Sequence, residues 1–191
     1  MRHVRNNSGF TLIEILITIA LISILAGIGG IFLQRYLPIF KLREATRDVA
    51  SALQNVRLTA IKSGSQCVMV FGATIDGEVV DYFSFIDTNR DNDFNGTDVR
   101  LNAQNLADYN YVFWGNDTGG GQGDAVADPV TTAVTFNSID EMSAPGVIFN
   151  NRGMSLDGSG GFGAGTIQLE NTLGRVRSVT VSATGNIRIV D

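Results

Sequence analysis

Gly9-Phe10-Thr11-Leu12-Ile13-Glu14 leads into an apolar run that continues to Leu33. The 24 residues from Phe10 to Leu33 contain one strongly polar side chain, Glu14. As an α-helix they would reach ~36 Å, enough for a hydrocarbon core of ~30 Å. A run of this length reads as a membrane span, not as the core helix of a soluble domain. It is also too long for the apolar region of a cleaved secretory signal, and no A-x-A-like site follows it. Glu14 stands out. A carboxylate inside the start of a span is costly, so it calls for a partner and a task.

Outward from this run, the leader Met1–Gly9 carries Arg2, His3 and Arg5. Positive charge on that side keeps the N-terminus cytoplasmic and places everything after Leu33 across the membrane. Gly27, Gly29 and Gly30 weaken the span as a helix, and Ala26 with Gly30 forms a small-xxx-small pair suited to close helix packing. The first proline is Pro38, where a kink is expected. Beyond it the pattern turns amphipathic. Leu42, Ala45, Val49, Ala52, Leu53, Val56 and Ala60 recur at steps of three and four, with Lys41, Arg43, Glu44, Arg47, Asp48 and Arg57 mostly off that stripe. The two halves read as one long helix from Phe10 to about Ser63, ended by Gly64.

Residues 64–191 read as a β-rich domain. Cys67 to Phe71 and Val79 to Ile86 form a hairpin around Asp76-Gly77. Val99 to Leu101, Tyr109 to Trp114, Val134 to Phe136 and Val147 to Phe149 are shorter strands. Gly165 to Glu170, Arg175 to Ser182 and Asn186 to Val190 alternate apolar and polar residues and predict an antiparallel meander. Gly115 to Gly123 and Gly158 to Gly165 read as loops. One helix followed by strands argues an α+β fold, with the antiparallel sheet packed on the helix stripe.

Charge and composition narrow the function. Of the 14 Lys+Arg, Arg2 and Arg5 lie in the leader, so without it 12 remain against 19 Asp+Glu, a net charge of −7. That balance disfavours nucleic acid. His3 is the sole histidine and lies in the leader, so a chain without that segment cannot assemble a Ser/His/Asp or Cys/His centre. Cys67 is the only cysteine, reads as a small buried strand residue, and excludes an intramolecular disulfide. The chain reads as non-enzymatic.

A basic leader ending in Gly9, followed by Phe10-Thr11-Leu12-Ile13-Glu14 and an apolar run, resembles the prepilin signal of type IV pilins and type II secretion pseudopilins. The resemblance implies cutting by a prepilin peptidase between Gly9 and Phe10, with N-methylation of Phe10. It also implies an assembly role for Glu14. Leu42-Arg43-x-Ala45, Leu53, Arg57, Ala60-Ile61, Phe149-Asn150-x-Arg152-Gly153 and Gly185-Asn186-Ile187-Arg188-Ile189 are similar to the GspH/FimT-type minor pseudopilins. From this follow a pilin-like fold and three regions: leader 1–9, helix 10–63 with a transmembrane half 10–33, and β-rich domain 64–191. The implied role is a structural subunit of a type II secretion pseudopilus or a type IV pilus. Such a subunit would sit in the inner membrane with its domain in the periplasm, and its partners would be other pilins and the prepilin peptidase. The alternative is a FimT-like minor pilin that binds DNA for uptake, for which Arg175, Arg177 and Arg188 could form a small basic patch.

One further motif is chemical. In Asp87-Thr88-Asn89-Arg90-Asp91-Asn92-Asp93-Phe94-Asn95-Gly96-Thr97-Asp98, oxygen side chains fall at loop positions 1, 3, 5, 7, 9 and 12, much as in an EF-hand. Asp87, Asn89, Asp91, Asp93 and Asp98 are therefore candidate Ca²⁺ ligands. Asn92 replaces the usual Gly, Asp98 replaces the usual Glu, and strands flank the loop instead of helices. The competing reading is an acidic, turn-forming connection. No cofactor is required on either reading.

Overall fold

The computed structural model describes residues 10–75, 77–115, 133–139, 142–157 and 160–190, the side chain of Ile31 excepted. The leader, Asp76 of the expected hairpin turn, and most of the first Gly-rich stretch lie outside the described residues. The chain divides into two compact units at Leu37/Pro38. A single helix, α1 (Leu12–Ser63), contributes to both.

In the first unit α1 is capped by Thr11, whose Oγ1 accepts the Glu14 N–H at 3.3 Å. The Thr11 carbonyl accepts the Glu14 and Ile15 N–H groups at 3.2 and 3.3 Å. Thr11-x-x-Glu14 is the spacing of a capping box, and an acidic residue in the first turn suits the positive end of the helix dipole. The described large apolar side chains from Phe10 to Leu33 are exposed, and even Ile15 is 47% open. The hydroxyls of Thr18 and Ser23 turn back onto the Ile15 and Ile19 carbonyls, both at 2.8 Å. These two hydroxyls are thus satisfied within the helix, as they would have to be in hydrocarbon.

In the second unit the amphipathic stripe is buried as its spacing requires. Leu42, Ala45, Val49, Leu53, Val56 and Ala60 are each at most 2% exposed. They pack on two antiparallel sheets. The first has the order β3-β2-β1-β6-β5, with β7 also on β6. Its strands are β1 (Gln66–Ile75), β2 (Glu78–Asp87), β3 (Val99–Gln104), β5 (Ser138–Ile139), β6 (Ala144–Phe149) and β7 (Ser155–Leu156). The second has the order β10-β9-β8-β4, from β4 (Val112–Trp114), β8 (Gly165–Asn171), β9 (Val176–Val181) and β10 (Ile187–Val190). The C-terminal meander is as its alternation predicts.

The first sheet is apolar on both faces. Cys67, Met69, Phe71 and Phe149 join the helix stripe and the buried side chains of the second sheet in one core. Val68, Val70, Phe83, Phe85 and Ile148 form a second core on the opposite face. That face is covered by loops, with Phe94 wedged between Phe83 and Phe85 at centroid distances of 4.7 and 5.4 Å. Two short-strand expectations change. Tyr109 to Trp114 resolves into a 3₁₀ turn (Leu106–Tyr109) followed by β4, because Asn110 and Tyr111 take positive φ and break the extended run. Around Val134 only an isolated bridge to Ile167 forms.

Candidate functional site

Arg57, Gly153 and Gly185, drawn from three separate motifs, meet at one point. Arg57 on α1 donates its Nε–H to the Gly153 carbonyl at 2.8 Å. Gly153 sits at φ 73° and Gly185 at φ 78°, and a Cβ on Gly185 would collide with the Gly153 carbonyl. Asn150 holds the same loop by accepting the N–H groups of Arg152 and Met154 at 2.9 and 3.0 Å. The Ser155 N–H donates to Ala183 O at 3.2 Å and ties in the β9–β10 turn. These residues form a structural knot between helix and sheets. Nothing there resembles a catalytic constellation.

A second set of polar bonds secures the other side of α1. Tyr109 donates its hydroxyl to Asp48 at 2.8 Å. Burial and hydrogen bonding to the Asp48 carboxylate push the Tyr109 phenol far up, and burial pushes Tyr82 beside it up to about 12. Asp81 accepts the Trp114 indole N–H at 2.8 Å and the Leu106 N–H at 2.6 Å. Cys67 is fully buried in β1, as its position suggests, and burial raises its thiol to about 11, so it stays a thiol at neutral pH.

The acidic loop uses its oxygens internally. Asp87 accepts the Arg90 and Asn92 N–H groups at 2.6 and 3.0 Å. Asp91 accepts Asn89 Nδ2, Asn95 Nδ2 and the Asp93 N–H. Asp98 accepts the Thr88 and Asn95 N–H groups. Of the candidate Ca²⁺ ligands Asp87, Asn89, Asp91, Asp93 and Asp98, all but Asp93 thus accept loop N–H groups through their side chains. Among the described residues no group of three or more His, Cys, Asp or Glu comes together to hold a metal ion. The Asp87, Asp91 and Asp98 carboxylates point at loop N–H donors and shape a turn.

The three C-terminal arginines are divided by strand parity. Arg177 has the parity of the buried Val179 and Val181, so it lies on the helix-facing side of β9. Arg188, paired with Thr180, lies along a groove of about 500 Å³ with Thr135, Thr166, Thr180, Ser182 and Asn186. Arg175 and Arg177 instead share a cleft of about 310 Å³ with Arg43, Ile39, Leu42 and Val176. The contribution of Arg43 is invisible to sequence spacing, since it lies 132 positions before Arg175.

At the N-terminus, Glu14 stands on the first turn of α1, beside Thr11 and four positions from Phe10. Gly9 lies outside the described residues. Residues 4–30 match the family described as the prokaryotic N-terminal methylation motif. The motif runs into an apolar helix whose second half packs on antiparallel sheets. Among solved structures, the chain is similar to the type IV minor pilin FimU of Pseudomonas aeruginosa. The identity is 12% and the TM-score 0.44, covering 84% of this chain and 92% of that one. No curated protein matches it.

Proposed function

We propose that this chain is a minor pilin-type subunit of a type IV pilus or a type II secretion pseudopilus. Its leader is cut after Gly9, Phe10 is N-methylated, and Phe10–Leu33 anchors the subunit in the inner membrane. The domain then lies in the periplasm, and assembly proceeds by lateral docking of N-terminal helices. The observation that carries this reading is the exposed apolar helix immediately behind a methylation motif. Glu14 has a local reason for its place in the cap. Its proposed task is to pair with the Phe10 amine of an adjacent subunit and so set helix register. The role is structural, not enzymatic.

Intact-mass analysis of the membrane protein tests the processing, and the expected species begins at methylated Phe10. Retention of Met1 in assembled material overturns the reading. Glu14→Ala is expected to insert into the membrane normally and to fail in assembly, whereas wild-type-like crosslinking into filaments would rule out the pairing. Capture of DNA is the second reading. The convergence of Arg43, Arg175 and Arg177 favours it, while the net charge of −7 and the separation of Arg188 from that cleft weigh against it.

A further inference from the structure

The acidic loop holds a second motif in the three residues that follow Phe94. Asn-x-Ser/Thr triplets occur in the chain at Asn6, Asn95 and Asn116. Asn6 belongs to the leader and Asn116 lies outside the described residues, which leaves Asn95-Gly96-Thr97. This triplet sits in the connection from β2 to β3, with Gly96 and Thr97 exposed and Asn95 half-buried. Phe94, packed on Phe83 and Phe85, pins the preceding position to the domain. The triplet itself is held by bonds local to the loop. Thr97 donates its hydroxyl to Asn95 Oδ1 at 2.6 Å and its N–H to the same oxygen at 3.1 Å. Asn95 Nδ2 donates to Asp91 Oδ2 at 2.9 Å. The Asp98 N–H closes a turn on Asn95 O, and the Asn95 N–H donates to Asp98 Oδ2, both at 3.0 Å. Releasing these bonds breaks no rung of the β1–β2 or β2–β3 ladders. The Asp93 carboxylate, two positions before Asn95, takes no hydrogen bond or ion pair among the described residues.

A side-chain amide is a poor nucleophile, because its nitrogen lone pair is shared with the carbonyl. Here the amide is fixed in one orientation, its oxygen on a hydroxyl and one N–H on a carboxylate. Asn-x-Thr on a surface loop of an exported domain is the acceptor pattern for N-glycosylation. We infer that Asn95 is an N-glycosylation site, which takes its glycan from a polyisoprenyl-pyrophosphate donor through an oligosaccharyl transferase. In that step Asn95 Nδ2 forms a bond to the anomeric carbon of the glycan. The bond from that carbon to the pyrophosphate oxygen breaks, and the pyrophosphate leaves on its lipid with the electron pair. One amide proton passes to a carboxylate of the transferase. Thr97 and the unengaged Asp93 are the flanking groups by which the transferase recognises the site. The inference rests on the membrane-anchored reading above, which puts this loop on the far side of the bilayer.

The test mixes the full chain in detergent with a purified oligosaccharyl transferase and a polyisoprenyl-pyrophosphate oligosaccharide. Mass spectrometry then reads the tryptic peptide Asp91–Arg100, which contains no other triplet. Wild type should gain one glycan on that peptide, and Asn95→Gln none. Gly96→Pro is the sharpest variant. Gly96 has open space where a Cβ would stand, and its N–H makes no hydrogen bond among the described residues. It also holds the second position of the Asn95–Asp98 turn, where proline fits. Proline inside the triplet blocks transfer, so this variant should keep the wild-type melting curve and lose the glycan. Thr97→Ser should keep transfer and Thr97→Val should lose it. Asp93→Asn should reduce it by about tenfold, the loss of one charge-assisted contact. No glycan on wild type overturns the proposal. So does a glycan on Gly96→Pro, or undiminished transfer to Thr97→Val. Transfer to the purified chain, with none on protein extracted from cells that make the same transferase and donor, would uphold the site and overturn the membrane-anchored reading.

Discussion

The two halves of α1 share a backbone geometry and differ in where their apolar side chains end. From Leu12 to Leu33 the described apolar side chains occupy every face and stay exposed, whereas from Leu42 to Ala60 they fall on one buried stripe, Leu58 excepted. A helix apolar all round has no face to give to water, so its solvent has to be lipid or other helices. A helix with one stripe needs one covering surface, and the two sheets supply it. Hydrophobicity thus does two jobs in one element. In the second half it stabilises the domain, and in the first it directs the chain to a different medium.

The largest expected effect tests that division directly. Leu53→Ala removes a fully buried side chain from the shared core and should destabilise the domain by about 2–5 kcal/mol. Ile22→Ala removes a similar volume from an exposed site and should leave domain stability unchanged. Trp114, the sole tryptophan, is buried in the same core and reports domain unfolding by fluorescence in the detergent-solubilised chain. Similar losses from both substitutions would mean that the first half stabilises the domain, and the comparison would fail.

A smaller effect sharpens what holds the second half. Arg57 joins α1 to the Gly153 carbonyl, a directed bond beside a non-directional core. Arg57→Ala leaves that carbonyl without its donor and should cost about 1–3 kcal/mol by the same fluorescence readout. Arg57→Lys carries no planar fork and should recover only part of it. Full stability of Arg57→Ala would assign the helix–sheet attachment to apolar packing alone.

Much of this was legible in sequence, for reasons visible in particular residues. The helix ends at Ser63 as expected because Gly64, at φ 70°, closes it, whereas its start falls at Leu12 and not at the expected Phe10, because Thr11 caps it. The β1–β2 hairpin follows from β-branched and aromatic runs on either side of a turn, and the β8–β10 meander from alternation between turn residues. The double-faced first sheet was not legible as such. In β1 and β2 both faces are apolar, so periodicity cannot say that one face meets a helix and the other a loop. The Arg43–Arg175–Arg177 cleft depends on register between distant segments, which no local spacing encodes. The acidic loop carries two readings in sequence because oxygens at cation-ligand spacing are equally those that cap turn N–H groups.

That loop also covers the first sheet opposite the helix, which gives a second contrast between covers. The helix cover rests on a continuous stripe. The loop cover rests on Phe94 and on the fully buried Asp87, which holds Arg90 and Asn92 at φ 64° and 61°. Burial raises the Asp87 carboxyl above its usual 3.8, outweighing the two N–H bonds that lower it, and the Asp98 and Asp91 charges raise it further. A carboxyl raised in the folded state contributes stability that is fully present below its unfolded value, about 3.8, and is lost as pH rises through the folded one. Thermal melts of wild type should therefore show a loss as pH climbs out of the acid range, and Asp87→Asn should flatten it. Calcium gives the finest distinction. Because the carboxylates already accept loop N–H groups, melts in millimolar calcium and in chelator should superimpose. A cation site at a hundredfold excess over its dissociation constant would instead add about 2.7 kcal/mol. A calcium-dependent rise that disappears in Asp91→Ala would show that the loop reorganises around an ion, and Asp87 would then be a ligand in place of a turn cap.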